Sequence, residues 1–183
     1  MKHQKIAAKQ LEQKAYQMRK EILEMIVAAR GTHIGSAFSI IDILVYLYDQ
    51  VLSINPKNPK EVLRDKFVLS KGHGCAALYV VLANYGFYSK TVLQSYCTEG
   101  GILGGHPDST RVPGIETSTG SLGHGFPVSV GFALADKINN FNAADVVIAL
   151  HVHNVICRIR IDHDSTTGYF WYTNMRELDC YRI

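Results

Sequence analysis

The chain has 183 residues, 47% of them hydrophobic, with 19 Lys and Arg against 16 Asp and Glu. That composition can bury a core, and a net charge of +3 without a Lys/Arg run lacks the basic stripe of a dedicated nucleic-acid binder. No apolar run approaches the roughly 18 residues of a membrane span, and residues 1–20 carry charges of both signs with no apolar secretory core. The expected setting is therefore cytoplasmic, with no membrane and no nucleic-acid partner. The four Cys (Cys75, Cys97, Cys157, Cys180) form no C-x-x-C pair, which reads as free thiols in a reducing compartment.

Residues 5–29 are predicted to form an amphipathic helix. Leu11, Ala15, Met18, Ile22, Ile26 and Ala29 recur at spacings of three and four and so share one face. Gly31 is the expected terminator. Ser39-Ile40-Ile41-Asp42 resembles a capping box with Asp in place of Glu or Gln, and a largely buried second helix should run from it to Leu52. Asn55-Pro56-Lys57-Asn58-Pro59 is a loop by its prolines. Phe67-Val68-Leu69-Ser70 predicts a short strand, Lys71-Gly72-His73-Gly74 a tight turn, and Cys75 to Tyr85 a helix with Gly86 at its C′ position. A strand, glycine turn and helix in that order point backbone N–H groups and a positive helix end at one spot, which favours an anion such as a phosphate. Residues 89–97 suggest a short helix, residues 100–125 a loop, residues 126–138 a helix and residues 145–150 (DVVIAL) a buried strand. Strands alternating with helices imply an α/β fold whose parallel sheet is flanked by helices.

The composition changes after residue 150. Residues 151–183 contain no Lys, Ala or Pro but hold the single Trp, Trp171, and four of the eight Arg. The expected organisation is a domain over 1–150 and a divergent tail over 151–183. His151 and His153 would project to one side of a strand with Cys157 nearby, but no fourth metal ligand is evident, so an incidental pair is the simpler reading.

Two counts stand out, 15 Gly and 8 His. Twelve of the Gly fall between Gly72 and Gly131, and His33, His73, His106 and His124 each lie within two residues of a Gly. Clustered Gly beside His suggests backbone brought close to a polar ligand. Familiar nucleotide patterns fail: Gly120-Ser121-Leu122-Gly123-His124-Gly125 is not the dinucleotide G-x-G-x-x-G, and no P-loop occurs.

The segments RGTHIGSAFSIIDILVYLY, RDKFVLSKGHGCAALY, GGHPD and PGIETSTGSLGHGFPVSVGFALA occur in this order. Together they resemble the N-terminal part of transketolase, over about residues 10 to 150. The resemblance implies a partial thiamine diphosphate-binding fold. It further implies transfer of two-carbon ketol units between sugar phosphates, by an N-terminal segment or split N-terminal subunit. His33 then matches the His near the reacting carbon and His106 the His that meets the donor substrate's hydroxyl end; both would be catalytic. His73 matches the His on the cofactor diphosphate, and Gly120, Ser121 and Leu122 the loop along the cofactor. The combined S-K-G-H and G-G-H-P signatures favour transketolase over a 1-deoxyxylulose-5-phosphate synthase. The implied partner is a C-terminal transketolase subunit or a second protomer, in a dimer, because the pyrimidine-binding domain is not in this sequence.

The sequence departs from the family after DVVIAL. Family members continue with G-D-G-E, whose Asp, with a later Asn, binds the divalent metal, Mg²⁺, that holds the diphosphate. Here His151-Val152-His153-Asn154 follows, and G-D-G occurs nowhere. No metal ligand is therefore assigned, and the isolated chain is expected to be inactive. The alternative reading is an inactive, truncated or frame-altered relative that acts as a binding or interaction module, or has no activity. His124 stands where a Gln is common.

Overall fold

The computed structural model describes residues 7–139 and the backbone of three further strands, 146–149, 156–160 and 169–173. The first helix, α1 (Ala8–Ala28), buries Ala15, Met18, Ile22, Met25 and Ile26, the face that the spacing predicts with Met25 added. It ends in a Schellman motif: Arg30 N–H bonds Val27 O at 3.1 Å and Gly31 N–H bonds Ile26 O at 2.8 Å. The left-handed residue is Arg30, at φ 50°, one position before the expected Gly31. Gly31 is small for another reason, since a Cβ there would lie 3.0 Å from the Tyr96 ring.

Two short helices follow, α2 (Ile34–Phe38) and α3 (Ile41–Tyr46), the latter continuing as a π-helical turn over Leu47–Val51. The expected capping box is absent. Ile40, not Ser39, is the N-cap residue of α3, with no side-chain cap. Asp42 instead pairs with Arg19 on α1, and Ser39 Oγ donates to Ser36 O at 3.0 Å. A carboxylate one carbon shorter than Glu reaches back less well, and the α1 guanidinium is an alternative partner.

Strand β1 (Lys66–Leu69) leads through a 3₁₀ turn, Gly72–Gly74, into α4 (Cys75–Asn84). Residues 75 to 83 of α4 are all buried, as an all-apolar helix requires. Gly86 ends it at φ 85°, with Gly86 N–H on Ala83 O and Phe87 N–H on Leu82 O. Helices α1, α3 and α4 pack on one another, and Ile22, Ile41, Leu44, Val80 and Leu82 are 0% exposed. A second 3₁₀ turn, Lys90–Ser95, is capped by Ser89 Oγ accepting from Thr91 N–H at 3.3 Å. Residues 100–124 contain no helix or strand, as the composition predicts.

Helix α5 (Gly125–Ile138) packs along β1, fixed by a Lys66–Asp136 ion pair of 2.7 Å whose two side chains are each nearly buried. Strand β2 (Val146–Ala149) pairs in parallel with β1, Leu69 opposite Ala149. Strands β3 (Ile156–Arg160) and β4 (Tyr169–Thr173) then add antiparallel, in the order β1-β2-β3-β4. The expected sheet, parallel and flanked by helices, is thus present only as one parallel pair. The two added strands come from residues 151–183 and turn it into a mixed sheet, and the described residues are mainly helical.

Candidate functional site

The site lies just beyond the C-terminal end of β1, where ligands of α/β proteins commonly bind. Four segments meet there. The turn after β1 brings His73. The residue before α2 brings His33, held in the left-handed conformation at φ 67° and ψ 22°, a strained position for a non-glycine residue. The glycine-rich segment supplies His106 and, further along, Gly120.

The three imidazoles form one cluster. Ring centroids are 4.7 Å apart for His33–His73, 4.9 Å for His73–His106 and 5.9 Å for His33–His106. The first two contacts are edge-on, at interplanar angles of 84° and 83°. His33 and His106 are exposed and His73 is half-buried, so the cluster is open to a ligand on one side. Partial desolvation at the cluster first, and then the neighbouring His73 and His33, hold the His106 imidazole below the usual histidine range, although its outer side is exposed. It is therefore neutral at neutral pH and able to accept a proton or a hydrogen bond.

Glycines make this convergence possible. A Cβ on Gly72 would stand 2.7 Å from Gly120 N, and one on Gly120 would stand 3.1 Å from the His106 ring. The His73 turn, the Gly120 loop and the His106 ring are therefore stacked at distances that only glycine allows. Thr119 Oγ1 donates to Leu69 O at 2.7 Å, tying the same loop to the end of β1. Gly125 presses on Ser70, where a Cβ would be 2.6 Å from Cα. This seats the start of α5 beside the start of α4.

Helix α4 holds the His106 loop through two residues one turn apart. Tyr79 Oη donates to His106 O at 2.7 Å and Cys75 Sγ to Gly105 O at 3.1 Å. Burial pushes the Cys75 thiol up to about 12, so it is a structural donor and not a thiolate nucleophile. A partly buried ion pair, Arg64 with Glu116, anchors the segment just before Thr119.

The structure thus joins four of the residues singled out in the sequence, His33, His73, His106 and Gly120. Ser121 and Leu122 follow in an exposed turn and add no ring to the cluster. His124 precedes α5 and stands outside it. His151 and His153 lie outside the described residues. Sequence reasoning missed Lys71, which is only 5% exposed and donates to Ser39 Oγ at 2.6 Å. Its signal was available in the S-K-G-H turn itself, where a lysine sits between a buried strand and a glycine.

The donor set suits a ligand with a phosphate at one end and hydroxyls at the other. Imidazoles bond both, and the turn of Gly72–Gly74 opens the ten-residue helix α4, whose positive end favours an anion. A divalent cation fits less well. Among the described residues no three His, Cys, Asp or Glu side chains are placed to hold one, and Mg²⁺ takes oxygen ligands rather than imidazole nitrogen.

The sequence model of one family, described as "Transketolase, thiamine diphosphate binding domain", matches residues 11–159. One subunit of the apulose-4-phosphate transketolase of Phocaeicola vulgatus is 44% identical over 129 residues, covering 70% of this chain and 46% of the relative. The 6-deoxy-6-sulfo-D-fructose transketolase subunit SqwG of a Clostridium species is 38% identical over 165 residues, 90% of this chain and 56% of the relative. A transketolase from Leishmania mexicana superposes with a TM-score of 0.72 at 28% identity, over 80% of this chain and 23% of that one. The chain spans about half the length of the two subunits it matches. A stretch of 165 residues in a chain of 183 must reach at least residue 165. The family match likewise runs past residue 150, to residue 159.

Proposed function

The chain belongs to the family of transketolase thiamine diphosphate binding domains, and from that premise we propose that it is the N-terminal part of a transketolase. Its activity, transfer of two-carbon ketol units between sugar phosphates, would require a C-terminal transketolase subunit or a second protomer. The observation that carries this reading is the convergence of His33, His73 and His106 within 4.7 to 5.9 Å at the end of β1.

In this reading His73, at the turn that opens α4, holds the diphosphate, and the backbone of Gly120, Ser121 and Leu122 lies along the cofactor. When bound, thiamine diphosphate supplies the nucleophilic carbon at which a ketose is split. His33 and His106 face the sugar. His106, kept neutral by partial desolvation and its imidazole neighbours, accepts from a donor hydroxyl or takes its proton. His33 holds the substrate oxygen beside the reacting carbon. Thr32 Oγ1 lies 3.3 Å from His33 Nδ1, which leaves Nε2 for the ligand. No step here passes through a metal.

The requirement for a partner has support in α5. Pro127, Val128, Gly131, Leu134, Ala135 and Ile138 are all exposed and lie on one helical stripe by their spacing. Leu134 is 48% and Ile138 70% exposed. A contiguous exposed apolar stripe marks an interaction surface. Among the described residues no helix is long and apolar enough to cross a membrane, and Cys75 and Cys97 are free thiols.

The test is a ketol-transfer assay of this chain combined with thiamine diphosphate, Mg²⁺ and a C-terminal transketolase subunit. Transfer is expected only when both chains are present, and His73→Ala should weaken cofactor binding more than His106→Ala. The reverse order would refute the placement of the diphosphate. A second reading, an inactive relative serving as a binding module, is favoured by one observation, the absence of G-D-G. It predicts no transfer with any partner.

A further inference from the structure

The cluster depends on two segments that have little stability of their own. Helix α2 has five residues, too few to form unaided, and His33 at its N-terminus sits in a left-handed conformation that must be imposed from outside. The turn carrying His73 contributes two contacts to it. A Cβ on Gly74 would lie 2.5 Å from Ile40 Cδ1 and 3.4 Å from Ser36 O, so the turn and the end of α2 are in van der Waals contact. The second contact is polar. Lys71 Nζ donates to Ser39 Oγ at 2.6 Å, and Ser39 Oγ donates onward to Ser36 O at 3.0 Å.

The structure assigns to Lys71 the role of a positioning residue that, through Ser39, locks the α2 segment bearing His33 against the turn bearing His73. Within the Lys71–Ser39–Ser36 relay, its ammonium is the link that comes from the β1 side. A buried lysine is unusual, because removing the charge from water is costly. Burial accordingly draws the Lys71 ammonium below the usual lysine range. A neutral, flexible side chain would fill the same space without fixing the direction of Ser39. The bearing of this lock on catalysis rests on the proposed thiamine diphosphate site; the lock itself does not.

The test uses the full-length chain, without cofactor, and follows the ring proton resonances of His33, His73 and His124 by NMR. Lys71→Met and Ser39→Ala should each move the His33 resonance while leaving His124 in place. Ser39→Thr, which keeps the hydroxyl, should retain the original His33 signal. The double variant should shift His33 by less than the sum of the single shifts, because both changes break one relay. An unmoved His33 in folded Lys71→Met and Ser39→Ala, or strictly additive shifts, would overturn the assignment. If Lys71→Met does not fold, the Ser39→Ala and Ser39→Thr pair decides, since Ser39 is exposed. A second arm measures thiamine diphosphate binding in the assembly with a C-terminal subunit. There the turn bearing His73 loses its tie to α2, so Ser39→Ala should weaken affinity by about tenfold, about 1.4 kcal/mol, and by less than His73→Ala does. Displaced His33 signals with no cofactor binding by the unmodified assembly would leave the lock standing and refute the proposed function alone.

Discussion

Helices α4 and α5 each begin at a Gly-His-Gly turn beside the end of β1, yet they meet opposite environments. In α4 every residue from Cys75 to Ala83 is buried. In α5 only Gly125, Ser129, Ala133 and Asp136 are buried, and an apolar stripe faces outward. Both are largely apolar in sequence, although α5 also carries Ser129, Asp136 and Lys137. The difference lies in what surrounds each among the described residues: α4 is wrapped by α1 and α3, whereas α5 packs mainly on β1, β2 and β3. The His at the head of α4 joins the imidazole cluster, and the His at the head of α5 does not. One helix belongs to a finished core, and the other exposes the face that the proposed function assigns to a partner.

Core truncation gives the largest contrast. Leu82→Ala in α4 should cost about 2–5 kcal/mol of stability, because Leu82 is fully buried. The matching change in α5, Leu134→Ala, should stay within about 0.5 kcal/mol. Chemical denaturation of the two variants checks this, and equal losses would break the comparison. Gly72→Ala comes next. Its Cβ would meet backbone at 2.7 Å, so a loss of about 1–3 kcal/mol is expected, with the three imidazole resonances displaced. Leu134→Glu should leave the melting temperature of the chain almost unchanged. It should weaken assembly with a C-terminal subunit by about tenfold or more, about 1.4 kcal/mol per factor of ten. Sedimentation of the mixture would read that effect, and unaltered assembly would remove α5 from the interface.

The smallest effect concerns pH. His106 titrates below its ordinary value of 6.5 in the folded chain, so the folded state resists its protonation. The stabilisation is fully present above the unfolded value and declines as pH falls from there through the folded one. Stability should therefore drop between neutral and mildly acidic pH, and His106→Gln should flatten that part of the profile. A steeper profile in the variant would contradict the assigned direction.

The same contrast explains what the sequence could disclose. The α1 face, the β1 strand, the Gly86 stop and the start of α5 follow from periodicity and glycine, which act within a few residues. His33, His73 and His106 were legible as members of one site from the order of their motifs, but their mutual distances depend on stacking across 33 to 106. The clustered glycines were expected to bring backbone near a ligand. Gly72 and Gly120 bring backbone near backbone and near the His106 ring, which is how the cluster is built. Competition was invisible locally. Asp42 goes to Arg19 rather than to a helix cap, Arg30 and not Gly31 takes the left-handed turn, and Ser39 serves Lys71. The mixed sheet was missed because β3 pairs with β2, and β4 with β3, through contacts that no period in residues 151–183 announces.

The central claim is that the imidazole cluster is half of a thiamine diphosphate site. It is tested most directly by calorimetric titration of thiamine diphosphate and Mg²⁺ into the chain mixed with a C-terminal transketolase subunit. Saturable binding that is lost in His73→Ala is the predicted result. No heat of binding at millimolar cofactor, with the two chains assembled, would contradict it.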